Sequence, residues 1–330
     1  MAKAYTGVDI GSNSVKLAVC QDGRPEKIIV EQLPEGIMDG ARIVSFDAMA
    51  DFLKELIKAN GGVSKDAAVV LTAQDSLVRR LELPLMSEKE LGLNLPYEFR
   101  DYISQGKDRY FYDYAVLDGV NDADGTLTGM DLLACAAPKD VINDLDNMCN
   151  RAGLRLRVAL PAAAAMQDLV QTSAAAKADC CIIDFGHRAT RLHFFAKGKY
   201  DVTRSIEVGG ADIDRAIADF CSVDERIASG YKESNFQDCL NSQPVQDVFE
   251  SIAVEVSRAL NFYGFNNPEA NLENAYCTGG CAQIGLLRDA VSAQTSINLL
   301  PFQALGNQLQ GEEGLLAQGA AAVGATVKAG

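Results

Sequence analysis

One stretch of this sequence occurs twice, and the repeat limits the folds open to the chain more than any other feature. The run Val8-Asp9-Ile10-Gly11-Ser12-Asn13-Ser14-Val15-Lys16-Leu17 is matched 175 positions later by Ile183-Asp184-Phe185-Gly186-His187-Arg188-Ala189-Thr190-Arg191-Leu192. The match extends into the next turn, where Gly23-Arg24 lies over Gly198-Lys199. Each copy reads as an apolar strand ending in Asp, a tight turn containing Gly, and a second strand. Hairpins of this kind present main-chain N–H groups to a phosphate. A single Asp-x-Gly turn says little, since any exposed turn can hold one. The matched pair predicts a cleft in which two turns grip a polyphosphate, with Asp9 and Asp184 holding a hydrated divalent cation.

The 330 residues suffice for two domains, and 48% apolar content supplies each with a core. A net charge of -15 argues against nucleic acid as a partner, because phosphates need a positive surface. Acidic balance is otherwise a solubility device and names no basic partner. Nine cysteines, unevenly spaced and mostly in apolar runs, predict a reduced, cytosolic protein. Cys277 and Cys281 are close in sequence, but both histidines fall inside the second hairpin, so no metal site is expected from thiol and imidazole ligands. The first strand begins within a few residues of the N-terminus, and no apolar run approaches the roughly 20 residues that span a bilayer. Membrane association is therefore expected only through a partner.

Along the chain, Lys27 to Val30 continues the first sheet. Ser45-Phe46-Asp47 opens a helix with Phe46, Met49, Leu53, Leu56 and Ile57 on one face, closed by Gly61-Gly62. Ala67 to Ala73 reads as a buried strand. Beyond Leu81 the texture changes. Ser87 and Glu90 form a capping box before a helix in which Leu91, Leu95, Phe99 and Ile103 recur every four residues, with Pro96 expected to kink or split it. The aromatic strand Tyr110 to Tyr114, a turn at Asn121 to Gly125, the strand Met130 to Ala136 and a helix from Lys139 to Ala152 complete a self-contained α/β set. Its aromatic cluster reads as core before binding surface. Alternation from Leu154 to Leu160 gives a strand, and Pro161 starts an Ala-rich helix.

After the second hairpin, Val208-Gly209-Gly210-Ala211-Asp212 joins a strand to a helix, as a plain turn also would. Pro244 to Phe265 is an amphipathic helix carrying Glu255 and Arg258, whose spacing by itself gives a surface ion pair. Ala275 to Ala282 reads as strand, Gly279-Gly280 turn and helix, where missing side chains let a flat ring approach the backbone. Ile297 to Leu300 is a strand, and Glu312 to Val327 a closing helix.

In this order the pieces resemble the actin-like ATPase superfamily: two phosphate hairpins, an adenosine Gly-Gly turn, and connecting helices rich in Ala and Gly. Within it the sequence is most similar to the PilM family of type IV pilus assembly proteins, relatives of the FtsA division proteins, over nearly its full length. Val8 to Leu17, Leu81-Pro84 through Leu117, and Cys277 to Ala282 carry the likeness. The resemblance implies an α/β, actin-like (ribonuclease H-like) two-lobed fold with an inserted small α/β subdomain. Residues 1–80 would form the first lobe with the first phosphate hairpin, 81–152 the insert, 153–175 the return to the first lobe, and 176–330 the second lobe with the second phosphate and adenosine motifs.

The resemblance further implies ATP and Mg2+ between the lobes and a cytoplasmic location at the inner face of the membrane. The implied partner is the cytoplasmic N-terminal tail of an inner-membrane PilN-like protein, with neither nucleic acid nor direct membrane insertion. By position, Ser12, Asn13, Ser14 and Lys16, beside Gly11, would contact the β and γ phosphates, and Asp9 and Asp184 would position Mg-bound water. Gly186 would supply backbone to the second phosphate loop, and Gly209 and Gly210 would approach the ribose and phosphate side. Glu255 and Arg258 are ribose or adenine candidates, and Gly279 and Gly280 would back the adenosine. Tyr97, Phe99 and Tyr102 of the insert are the apolar candidates for a partner groove.

Two departures bear on mechanism. The second loop carries His187-Arg188 where the family has small or hydroxyl residues. Either these side chains shrink the site, or Arg188 itself pairs with phosphate as a charge-assisted donor. Leu160 stands where hydrolysing relatives place a Glu or Gln to orient water, and Leu cannot do so. The expectation is a nucleotide-responsive scaffold, a weak ATPase at most. Three alternatives stay open. One is an adaptor of the same fold that needs no nucleotide. Another is a sugar kinase or exopolyphosphatase, which shares the Gly-Ser-Asn-Ser opening but would need an acceptor base not evident here. The third is an FtsA-like membrane filament, whose basic amphipathic C-terminal helix is not matched by Leu315 to Ala322 and Lys328-Ala329-Gly330. Homo-oligomers, as dimers or filaments, are likewise open.

Overall fold

Strands β1 (Ala4–Ile10) and β2 (Ser14–Gln21) form the first hairpin, and a two-residue turn at Asp22-Gly23 leads into β3 (Arg24–Gln32). The computed structural model describes residues 3–306 and 309–329, so Gly330 of the tail considered above lies outside the described residues. Two short strands, β4 (Met38–Asp39) and β5 (Arg42–Ile43), precede α1 (Phe46–Ala59), whose N-terminus is capped by the Ser45 hydroxyl accepting from the Ala48 amide. Apolar alternation in β1 and β2 and a continuous apolar run in β6 (Asp66–Leu71) set their pairing. The sheet order is β10-β6-β1-β2-β3, with β1 antiparallel to β2 and parallel to β6. This is the frame of the first of two compact units, which comprises residues 1–169, 199–201 and 321–330.

Within that unit a three-stranded sheet is inserted after β6. It consists of β7 (Leu77–Pro84), β8 (Tyr110–Asn121) and β9 (Leu127–Pro138) in the order β7-β9-β8, with α2 (Glu88–Glu98) packed over it. The capping box is present, with the Ser87 amide donating to Glu90 at 2.7 Å. Pro96 falls in the last turn of α2, so the helix is not split; it stops at Glu98, short of the expected repeat through Ile103. Leu81, Leu95, Phe99, Tyr110, Ala134 and Ala136 form the insert's own core. Helix α3 (Lys139–Ala152), which the sequence reading groups with the insert, buries Leu145, Met148 and Cys149 in the larger core beside Met49, Leu53, Val8 and Leu17. Gly153, at φ 87°, ends it, and β10 (Arg155–Pro161) and α4 (Ala162–Gln171) follow.

The second unit repeats the first in outline. Strands β11 (Cys180–Phe185), β12 (Thr190–Ala196) and β13 (Lys199–Ile206, in this unit from Val202 on) are followed by α5 (Gly210–Cys221), α6 (Glu225–Ser234) and α7 (Gln243–Asn266). Then come β14 (Asn274–Thr278), α8 (Gly285–Gln294), β15 (Asn298–Pro301) and α9 (Glu313–Gln318). The order β13-β12-β11-β14-β15 mirrors the first sheet strand for strand. Its core includes Phe185, Phe195 and Phe249, and Phe194 stacks on Tyr263 with ring centroids 4.1 Å apart. The closing helix expected over 312–327 is broken at Gly319 into α9 and α10 (Ala320–Val327). Residues 321 onward pack in the first unit, where Gly7 leaves the room that the Ala322 carbonyl takes; a Cβ on Gly7 would lie 1.8 Å from that oxygen.

Candidate nucleotide-binding loops

The duplication read from the sequence extends to single hydrogen bonds. In the first hairpin Asp9 pairs with Lys16 and the Gly11 amide donates to the Ser14 carbonyl at 3.0 Å. In the second, Asp184 pairs with Arg191 and the Gly186 amide donates to the Ala189 carbonyl at 3.2 Å. The following turns also coincide: Asp22 and Gly23 have φ of 49° and 73°, Lys197 and Gly198 of 52° and 75°. Two central residues with positive φ match the right-handed twist of the flanking strands, which favours such turns in hairpins.

In the first loop Ser12, Asn13 and Ser14 are half-buried, and the Asn13 carbonyl accepts from the Leu33 amide, fixing the turn against the end of β3. The Lys16 ammonium reaches back over the turn to the Ser14 carbonyl at 3.3 Å, close to where a Cβ on Gly11 would stand. A cation, two serines and a Gly with no side chain thus share one strand end, where Asp9 stands opposite Lys16 in the register. Oxygen-rich, hydrated Mg2+ and phosphate suit this donor set.

The second loop is braced from behind. The Gly210 and Ala211 amides, at the start of α5, donate to the carbonyls of Gly186 and His187 at 3.0 and 2.6 Å. A Cβ on Gly209 would stand 2.7 Å from the Gly186 carbonyl oxygen, and one on Gly210 would stand 2.7 Å from the Cys281 sulfur. The Gly209-Gly210 pair is thus required by the loop's own packing. Behind it lies a feature the sequence reading missed: buried Lys232 pairs with buried Asp214 at 2.7 Å, and the His187 Nδ1 is 3.7 Å from the same carboxylate. Burial pushes the Asp214 carboxyl up, opposed by the Lys232 charge. The available signal was Lys232 lying four residues after Ala228 on the buried face of α6. Arg188 is exposed and has no ion pair or hydrogen bond among the described residues, so its guanidinium is available.

At the second unit's other motif, Gly279 has φ 91° and lies against Asp184; a Cβ there would be 2.4 Å from the carboxylate oxygen. Asp184 also faces Arg191 at 3.9 Å, the counterpart of Asp9 beside Lys16. Gly280 differs from its neighbour, because its missing side chain would point into open space. Glu255 and Arg258 on α7 pair with each other, the latter exposed, as the plain surface reading of their spacing had it. Leu160 is a strand residue paired with Val70 and packed toward Ala325, with no polar group to offer water.

The three partner-groove candidates do not share a surface. Phe99 is wholly buried in the insert's core and lines no groove, because it falls on the inward face after the last turn of α2. Tyr102 lies under the Arg79 guanidinium, 4.1 Å from ring centroid, on the β7 side of the insert. Tyr97 lies toward the opposite edge, with the Lys107 ammonium 4.1 Å above its ring.

A sheet of order 3-2-1 antiparallel strands extended by parallel ones, repeated in both units and opened each time by the same Asp-x-Gly hairpin, defines an actin-like α/β protein with an inserted subdomain. The chain belongs to the family of type IV pilus assembly protein PilM, whose model matches residues 7–322. Among solved structures, the PilM-PilN type IV pilus biogenesis complex is similar at TM-score 0.79 and 19% identity, covering 98% of this chain and 98% of that one. The ethanolamine utilization protein EutJ from Carboxydothermus hydrogenoformans is similar at TM-score 0.61 and 15% identity, covering 99% of this chain and 89% of its own. No curated protein matches the sequence. At these identities the two structures speak for the fold.

Proposed function

We propose that this chain is a cytoplasmic, ATP- and Mg2+-binding scaffold of type IV pilus or related secretion assembly. It docks the cytoplasmic tail of an inner-membrane PilN-like protein and hydrolyses ATP slowly or not at all. The observation that carries the nucleotide part is the pair of hairpins with one register and one closing hydrogen bond, each ending in an Asp beside a basic residue. Ser12, Asn13, Ser14, Lys16 and the amides around Gly11 and Gly186 bind phosphate in this reading, with Arg188 adding a charge-assisted donor. Asp9 and Asp184 hold the cation through water, and the open face at Gly280 backs the adenosine. Leu160 supports slow hydrolysis, since no carboxylate or amide stands there to orient water.

Family membership supports the pilus role, and the PilN of the similar complex supports the partner. Among the described residues no helix is long and apolar enough to cross a membrane. We assign the tail to the insert, whose Tyr97 and Tyr102 stay exposed while Phe99 is buried. Calorimetry with a synthetic tail peptide of a PilN-like protein tests this. Binding that falls at least tenfold in Tyr97→Ala or in Tyr102→Ala is expected, and binding unchanged in both refutes the assignment. Phosphate release that is brisk and survives Asp184→Ala contradicts the slow-hydrolysis reading. A nucleotide-independent adaptor is the second reading, favoured by one observation: Gly209, Gly210 and Gly279 are each accounted for by packing within the second unit.

A further inference from the structure

The chain holds two histidines, and both lie on the second hairpin. His193 is buried in β12, and burial pushes it down to about 4. The thiols of the same sheet, Cys180, Cys181 and Cys277, are pushed up by burial. His187, in the loop itself, is therefore the side chain here whose type titrates between about pH 5 and 8. It is 28% exposed, so solvent can exchange a proton with it.

The ring is fixed against the first turn of α5. The His187 carbonyl accepts from the Ala211 amide at 2.6 Å, and a Cβ on Gly210 would stand 3.4 Å from the ring Nδ1. That nitrogen is 3.7 Å from the Asp214 carboxylate. Asp214 and Lys232 are both buried, with charged atoms 2.7 Å apart, and the same ammonium reaches the Gly210 carbonyl at 3.5 Å. Burial pushes the Asp214 carboxyl up, with help from Glu225 and Glu233, and Lys232 opposes this. The other acid of this turn, Asp212, is committed to the Gly209 amide and to Arg215. The Cys281 sulfur packs against Gly210, exposed Arg188 follows His187 directly, and Arg191 faces Asp184.

Charge counting gives the direction of an effect. Asp214 and Lys232 cancel, so a protonated His187 leaves the cluster one positive charge in excess, at a helix N-terminus that itself disfavours a cation. An anion seated on the loop meets that excess, and an opposite charge within roughly 4–6 Å favours the charged imidazole. We propose that phosphate binding at the second loop takes up a proton from solvent onto His187, with Asp214 and Lys232 as the positioning residues of that imidazolium. Both ring nitrogens then carry hydrogen, and Nδ1–H is aimed at the Asp214 carboxylate. The proposal rests on the nucleotide reading and adds a regulation to it: the loop binds phosphate more tightly as pH falls through the range of His187.

With two histidines in the chain the test is direct. The imidazole C2–H resonances of the full chain are followed by NMR between pH 5.5 and 8.5, with and without MgATP, and MgATP affinity is measured by calorimetry at pH 6 and 8. His193 does not titrate in this window, so the moving resonance is that of His187 even if no variant folds. Its midpoint is expected to rise by about one unit on adding MgATP, and the affinity to gain up to about tenfold more between pH 8 and 6 than in His187→Gln, which retains the protonation of ATP itself. In Asp214→Asn with Lys232→Met, which removes both charges together, the rise is expected to shrink; an undiminished rise overturns the positioning role of the pair. MgATP that binds while the His187 midpoint stays put overturns the proposal and leaves the nucleotide reading standing. Absence of MgATP binding at every pH overturns both.

Discussion

His193 shows how one buried side chain ties the second hairpin to pH. It lies in β12, nearly inaccessible, with its Nδ1 2.8 Å from the Thr203 hydroxyl. Burial, aided by the Arg191 charge, lowers its pKa from 6.5 to about 4. The folded value is below the unfolded one, so unfolding takes up a proton between them. Stability is full above pH 6.5 and is lost as pH falls toward 4. A shift of this size corresponds to about 3 kcal/mol. Denaturant unfolding between pH 7 and 5 is expected to show falling stability in the wild type and a flatter profile in His193→Gln. Gly279 belongs to the same scale. Gly279→Ala would drive a methyl against Asp184 and the Phe185 carbonyl at a φ of 91°, and is expected to cost about 1–3 kcal/mol in equilibrium unfolding. The sequence made the glycine conspicuous but not its reason, since the contact joins residues far apart in the chain.

At the scale of elements, local patterns carried the reading and non-local contacts limited it. The hairpins were legible because strand, Asp, Gly turn and strand are written in consecutive residues, and the same holds for the Ser87–Glu90 capping box. The aromatic run around α2 was not, because one turn of chain sends Tyr97, Phe99 and Tyr102 to three environments. Periodicity through Ile103 extended the helix past the point where Pro96, lacking an N–H, lets it end. Phe99→Ala is expected to destabilise the insert by about 3–5 kcal/mol, read as a loss of cooperativity or a lowered midpoint in urea. Helix α10 packs in the first unit by close approach at Gly7. Gly7→Ala is expected to release it, raising proteolysis near the C-terminus, whereas an unchanged digestion pattern would show that the helix shifts to accommodate the methyl.

For the whole molecule, the repeat of sheet order, register and turn geometry across two units is the feature from which the family and the nucleotide reading both descend. The Lys232–Asp214 pair had no motif, since it joins residues of two different helices. The central proposal is that the hairpins bind ATP with Mg2+. Its most direct test is the melting temperature with and without MgATP, in the wild type, Asp9→Ala and Asp184→Ala. Ligand at about a hundred times its dissociation constant adds roughly 2.7 kcal/mol, which raises the transition by several degrees. The account predicts that rise in the wild type and its loss in both variants. No rise in the wild type, or one that survives both substitutions, would contradict it.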